Sequence, residues 1–249
     1  MRATVALVLS MGLLIGCGGG GGSAATAETP LFPLSDNRLT FQPKTIHYQV
    51  TGAVVTGEGE PVPIEGTAST RQGQPATVGG VLCTAVDTVE ILDTHSPVST
   101  QEFYSRDEDA NRAMQAGLRL GDGALINWHT PMARGPLVYE PGESWSLEDP
   151  NYGYMPTPQG AQTRMLVESY EWSVDRKGII EVPAGRFECY VVYTTLRQTD
   201  LQTGVGEVCS TISYVRPDYG VIQAETRISR VIEGVPVQTS LTYEATKVY

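Results

Sequence analysis

The sequence predicts an all-β fold built on antiparallel strands. Three observations carry this reading. Four segments alternate apolar and polar side chains with a period of two, glycine-centred turn signals recur between them, and no stretch of 12 residues shows a helical apolar stripe. Residues 45–55 place Ile46, Tyr48, Val50 and Val54 on one face, with His47, Gln49 and Thr51 on the other. Residues 164–175 align Leu166, Tyr170, Trp172 and Val174 against mainly polar neighbours. Residues 221–232 set Ile222, Ala224, Ile228 and Ile232 opposite Gln223, Glu225, Arg227 and Ser229. Residues 237–243 repeat the pattern with Val237, Thr239, Leu241 and Tyr243. Period-two alternation means strands with one dry face and one wetter face.

Turns are expected at Gly79 with Gly80, at Gly121 to Gly123, and at Gly142, Gly178 and Gly234. Residues 107–118 are the best candidate for a short helix, and residues 130–162, rich in Pro and Gly, read as long loops with one short strand. On the apolar face of Val81, Cys83, Ala85, Val89 and Ile91, Asp87 implies either a polar spot in a cavity or a bulge that reverses the face. A sheet of roughly ten strands must curl or pair with a second sheet to bury its dry face. The expected architecture is therefore a strongly curved half-barrel or a two-sheet sandwich, with little helix.

The chain begins with Met1 and Arg2, followed by a 13-residue apolar run over residues 3–15, the length of a secretory signal and too short to span a bilayer. The tetrad Leu14, Ile15, Gly16, Cys17 resembles the lipobox of bacterial lipoproteins. That resemblance implies cleavage before Cys17, acyl chains such as palmitate on its sulfur and amine, and anchoring to a membrane of the cell envelope. Gly18 stands where Asp resembles an inner-membrane retention signal, which points to the outer membrane. The expected organisation is a signal peptide over residues 1–16, a lipidated Cys17 with a glycine-rich tether to residue 28, and one β domain over residues 29–249. A flexible tether of about twelve residues has an r.m.s. span of roughly 20 Å.

Charge excludes one class of partner. The chain carries 17 basic and 28 acidic residues, a net −11, and removing residues 1–16 takes away only Arg2, leaving −12. Such a balance argues against nucleic acid. Cys83, Cys189 and Cys209 remain beyond the anchor. Cys189 and Cys209 are candidates for a cross-strand disulfide, although a hairpin centred near Gly204 to Gly206 would not place them opposite each other.

Four further blocks resemble a family of uncharacterised bacterial lipoproteins. They are Leu31 to Leu34 with Asn37 and Phe41; Pro136, Leu137 and then Pro141 to Trp145; Glu181 to Cys189; and Pro217 to Ile222. Arg38 to Thr40 and Asp109 to Asn111 depart from the family pattern. The resemblance implies a curved antiparallel sheet, distantly like the half-barrels of lipoprotein carriers. It implies no catalytic residues. The same blocks also have a purely structural account, as turns and core anchors.

No catalytic constellation stands out. His47, His95 and His129 lack metal-like partners at i+2 or i+4, and no Gly-x-Ser-x-Gly elbow occurs. The acidic run Asp107 to Asp109 lacks the spacing of a calcium loop. No metal and no cofactor are expected. Trp145, Tyr170 and Trp172 are candidates to line a pocket in the concave face. The reading is a non-enzymatic, lipid-anchored envelope protein whose curved sheet binds an apolar ligand or a lipidated partner. The alternative is a scaffolding or interaction module of the envelope with a filled core; an envelope hydrolase has only scattered residues behind it. An empty apolar cavity would favour the first, a packed core the second.

Overall fold

The computed structural model describes residues 30–94 and 96–249. The signal sequence, Cys17 and the tether, together with His95, lie outside the described residues.

Among the described residues fourteen strands follow one another with no helix between them. They are β1 (Leu31–Phe32), β2 (Lys44–Thr56), β3 (Val62–Val78), β4 (Val81–Leu92), β5 (Val98–Asp107), β6 (Arg112–Arg119), β7 (Leu125–Pro136), β8 (Ser144–Ser146), β9 (Asn151–Thr157), β10 (Gly160–Val182), β11 (Gly185–Asp200), β12 (Val205–Arg216), β13 (Gly220–Ile232) and β14 (Val235–Val248). Neighbours in sequence pair almost throughout, and β14 returns to β2. The decisive contact is β10 with β11, which pair from Met165 opposite Asp200 to Val182 opposite Gly185. That pairing joins the two ends of the sheet and closes a barrel of twelve strands, with β1 and β8 as short additions. The half-barrel and the sandwich are thus replaced by a more closed form of the same curved sheet. Closure removes the edges that an open curved sheet would expose.

The alternation read from the sequence sets the inward face of β2, β13 and β14. Ile46, Tyr48, Val50, Ile222, Ala224, Ile228, Leu241 and Tyr243 are all buried. In β10 the face changes midway. The register skips Glu168, and this bulge brings Met165 and Val167 inward with Tyr170 and Trp172, while Leu166 is only half-buried. In β4 the expected apolar face divides. Cys83 and Ala85 are buried in a small cluster with Val78 and Phe103, whereas Val89 and Ile91 are exposed; Asp87 accepts a hydrogen bond of 2.6 Å from Gln101 Nε2, and Glu90 faces the lumen. The bulge suspected in β4 lies in β3, between Gln72 and Gln74.

Two further expectations fail. Residues 107–118 form the end of β5, a turn and β6, not a helix. Residues 130–162 contribute the end of β7, all of β8 and β9 and the start of β10, and so form part of the wall. The join between β7 and β9 is narrow, with only Asn127 opposite Tyr154 and Trp128 opposite Gly153. There the Asn151 side chain acts as a substitute strand: its amide donates to Thr130 O at 2.6 Å and its carbonyl accepts from Thr130 N at 3.4 Å.

The lumen is filled by the protein's own side chains. One cluster gathers Trp128, Met132, Leu137, Tyr139, Tyr170 and Trp172; a second gathers Tyr48, Val50, Phe187, Ile222, Leu241 and Tyr243. Polar groups sit among them. Tyr243 donates across the lumen to Glu90 Oε2 at 2.7 Å, and Trp128 Nε1 donates to Gln115 Oε1 at 2.9 Å.

Candidate functional site

One end of the barrel is closed by chain rather than left as a mouth, and all four sequence blocks singled out above converge there. Gly185, at φ 141°, makes the turn into β11, and a Cβ on it would lie 3.0 Å from the Phe32 ring. Its lack of a side chain lets Phe32 stack on Phe187 with ring centres 5.0 Å apart, while β1 pairs parallel to β11. Leu34 N donates to Glu188 Oε2 at 3.1 Å. The following segment crosses the end of the barrel: Leu39 N donates to Leu137 O at 2.6 Å, Thr40 N to Pro217 O at 3.0 Å, and Tyr139 N to Asn37 O at 2.8 Å. The tip between β10 and β11 closes the other side through Ala184 N to Ala245 O, 2.9 Å.

Arg216 is the hub of this cap. Its guanidinium holds both oxygens of Asp218, at 2.9 and 2.6 Å, and donates to Phe32 O at 2.8 Å. It also stacks over the rings of Tyr219 and Phe187, at 4.7 and 5.8 Å. Burial works against the Asp218 carboxylate, but the two hydrogen bonds and the charge of Arg216 hold its pKa below the ordinary value.

Beneath the crossing segment lies a cavity of about 80 Å³. Its wall is mainly apolar, from Leu39, Phe41, Ile46, Val86, Tyr104 and Val221. Lys44 also lines it, and its ammonium donates to Asp218 O at 2.7 Å and Thr40 O at 3.2 Å. Burial lowers the Lys44 pKa to about 8, with the charge of Asp218 acting in the opposite sense.

Deeper in the lumen lies a buried charged pair. Glu102 Oε1 accepts a hydrogen bond of 2.5 Å from Gln115 Nε2, and Arg134 Nη2 stands 3.9 Å from the same oxygen. Arg134 lies over the Tyr170 ring at 4.5 Å. Burial pushes the Glu102 carboxyl above its ordinary value, with Arg134 pulling the other way.

Of the expected pocket residues, Tyr170 and Trp172 are core side chains, 3% and 2% exposed, and Tyr170 OH donates to Arg134 O at 3.0 Å. Trp145 is half-buried and borders an open groove of about 480 Å³ on the outer wall, with Trp172, Glu171, Ser173 and Tyr193. The three adjoin one another at the wall: Trp145 stands opposite Trp172 in the β8–β10 pairing, and its ring centre lies 6.2 Å from that of Tyr170. The Cys189–Cys209 bond is not formed, and both thiols are free. Cys189 stands opposite Gly178 on β10 and Cys209 opposite Leu196 on β11, so the two are offset by seven residues along β11, about 23 Å at 3.3 Å per residue. His47 and His129 are exposed and pack edge-on against Tyr249 and Tyr154. Among the described residues no group of His, Cys, Asp or Glu is arranged to hold a metal ion.

Sequence reasoning missed Lys44, Glu102, Arg134 and Arg216. Each is a charged residue within a strand or at its end, the one local signal they give.

No protein-family model matches the chain, and no curated protein matches it. Two solved structures are similar. One is a protein of Bacteroides fragilis NCTC 9343, inferred to be exported and with a YmcC-like fold: TM-score 0.35, 12% identity, over 86% of this chain and 99% of that one. The other is a protein of Parabacteroides distasonis ATCC 8503, inferred to be a lipoprotein: TM-score 0.33, 10% identity, over 90% and 100%. The resemblance drawn from the four blocks therefore rests on those residues alone.

Proposed function

We propose that this chain is a non-enzymatic lipoprotein of the bacterial cell envelope, held by acyl chains on Cys17, whose barrel is an interaction module. The observation that carries the choice between module and carrier is the filled lumen. A cavity of about 80 Å³ is about half the roughly 150 Å³ that holds benzene, and a lipid acyl chain needs several times that. The outer-wall groove beside Trp145 and a neighbouring groove of about 370 Å³ share Tyr193, Thr194 and Thr195, and together they offer a wall for an extended segment of another envelope protein. A second reading, a small apolar ligand, is favoured by the capped cavity alone.

Two experiments test this. Cys17→Ala should move the protein from the membrane to the soluble fraction; tight membrane association of that variant would sink the anchor. A photo-crosslinking residue at Tyr193 should give a discrete adduct with an envelope protein, and one at Glu60, in the turn after β2, should not. No adduct, together with a stoichiometric lipid in the native mass spectrum, would return the protein to the carriers.

A further inference from the structure

The capped cavity pairs two features that a packing defect would not bring together. Its wall is apolar, yet Lys44, only 8% exposed, forms part of it. An ammonium group has three N–H donors, and two of them meet the neutral carbonyls of Thr40 and Asp218. Among the described residues no carboxylate lies within ion-pair distance of Lys44, and that of Asp218 is taken by both arms of Arg216. Buried charges are ordinarily paired, because leaving water without a counter-ion is costly. The other buried cations obey that rule: Arg216 meets Asp218, Arg164 meets Asp200, and Arg134 faces Glu102. Lys44 is the exception, and it stands at a cavity.

We propose that the cavity is a binding site for a short aliphatic carboxylate, its alkyl end among Leu39, Ile46, Val86 and Tyr104 and its carboxylate on the Lys44 ammonium. The proposal goes beyond the interaction reading and does not depend on the lipid anchor. Size limits the ligand. A cavity of about 150 Å³ lined by apolar side chains holds benzene, so about 80 Å³ takes a chain of about three carbons beyond the carboxyl, as in butyrate. Charge selects it, because an alcohol of equal length would leave the ammonium unpaired. Entry is from the part-exposed side of the cavity, beside Phe41, Val86 and Tyr219.

The test is ligand-observed NMR on the full-length Cys17→Ala chain with straight-chain acids from acetate to octanoate and with 1-butanol. Butyrate should bind saturably and at least about tenfold more tightly than 1-butanol, the difference expected of one charge-assisted hydrogen bond. Affinity should stop rising beyond the length that fills the cavity. Lys44→Met should weaken butyrate about tenfold or more and leave 1-butanol unchanged. If that variant fails to fold, Ala113→Leu, which fills the cavity from a different strand and keeps Lys44, should abolish binding of both. No saturable butyrate binding, equal affinity for acid and alcohol, or binding unaffected by Ala113→Leu would each overturn the site. Tighter binding of a peptide ending in valine than of butyrate would overturn the small acid as its occupant.

Discussion

Arg134→Met isolates the effect of a buried charge on this barrel. Arg134 and Glu102 are 3% and 1% exposed and 3.9 Å apart, and among the described residues neither makes a second ion pair within 4.0 Å. Removing the guanidinium leaves the carboxylate buried in the lumen without a counter-charge, still accepting from Gln115. Breaking a buried pair from one side costs about 3–5 kcal/mol, a large share of a domain's total stability. The pH dependence has a definite sign. Burial raises the Glu102 pKa in the folded protein above the ordinary 4.5, so the native state keeps a proton that the unfolded chain has released. Its contribution to stability is therefore greatest at low pH and declines as pH rises from 4.5 through the raised value. Without Arg134 that value rises further and the decline becomes longer. Guanidinium denaturation at pH 5 and pH 8 should show a larger cost for Arg134→Met at pH 8, and Glu102→Gln added to it should recover most of that cost, since the Gln carbonyl still accepts from Gln115. An equal cost at both pH values, or one below about 1 kcal/mol, would refute the argument that the pair is electrostatically coupled in a dry lumen.

Other changes give independent checks. Gly185→Val meets both a left-handed backbone and the Phe32 ring, so it should undock β1 and cost about 1–3 kcal/mol, read as a drop in thermal midpoint of several degrees. Trp172→Ala should cost about 3–5 kcal/mol as a fully buried core side chain; a folded variant of unchanged midpoint would place it in a ligand pocket instead. Burial raises the thiol pKa of Cys189 and Cys209, that of Cys209 to about 11, so both should react slowly with a thiol reagent in the native protein and at once in denaturant. A mass two hydrogens short of the fully reduced chain would contradict the free-thiol arrangement. Cys17→Ala should change membrane partitioning without shifting the thermal midpoint, since Cys17 lies outside the barrel sequence.

The alternation read from the sequence succeeded where strands run regular and failed where a bulge intervenes. In β14, Thr239, Leu241 and Tyr243 point inward as read, because no irregularity lies among them and the side-chain period is locally fixed. In β10 the skip at Glu168 exchanges the faces, and no residue type announces it. Residues 107–118 were the best helix candidate in spite of Gly117; its lack of a side chain serves the sheet, since a Cβ there would lie 2.8 Å from Val78 Cγ1, and Ala116 packs with Cys83, Ala85 and Phe103. The candidate site was legible in part. The blocks at Phe32, Leu137, Phe187 and Tyr219 were visible, but Arg216, which fastens three of them, was not.

By itself the sequence determined the fold class, the inward faces of the regular strands and the acidic charge, because each depends on neighbours only a few residues apart. The tertiary structure decided that the sheet closes. Closure depends on the tilt and stagger summed over twelve strands and on β10 meeting β11, which no local pattern records. It likewise decided which lone charges are buried, and that Lys44 stands at a cavity without a carboxylate of its own. A charge's cost and its partner are set by what surrounds it in space, and its place in the chain gives neither.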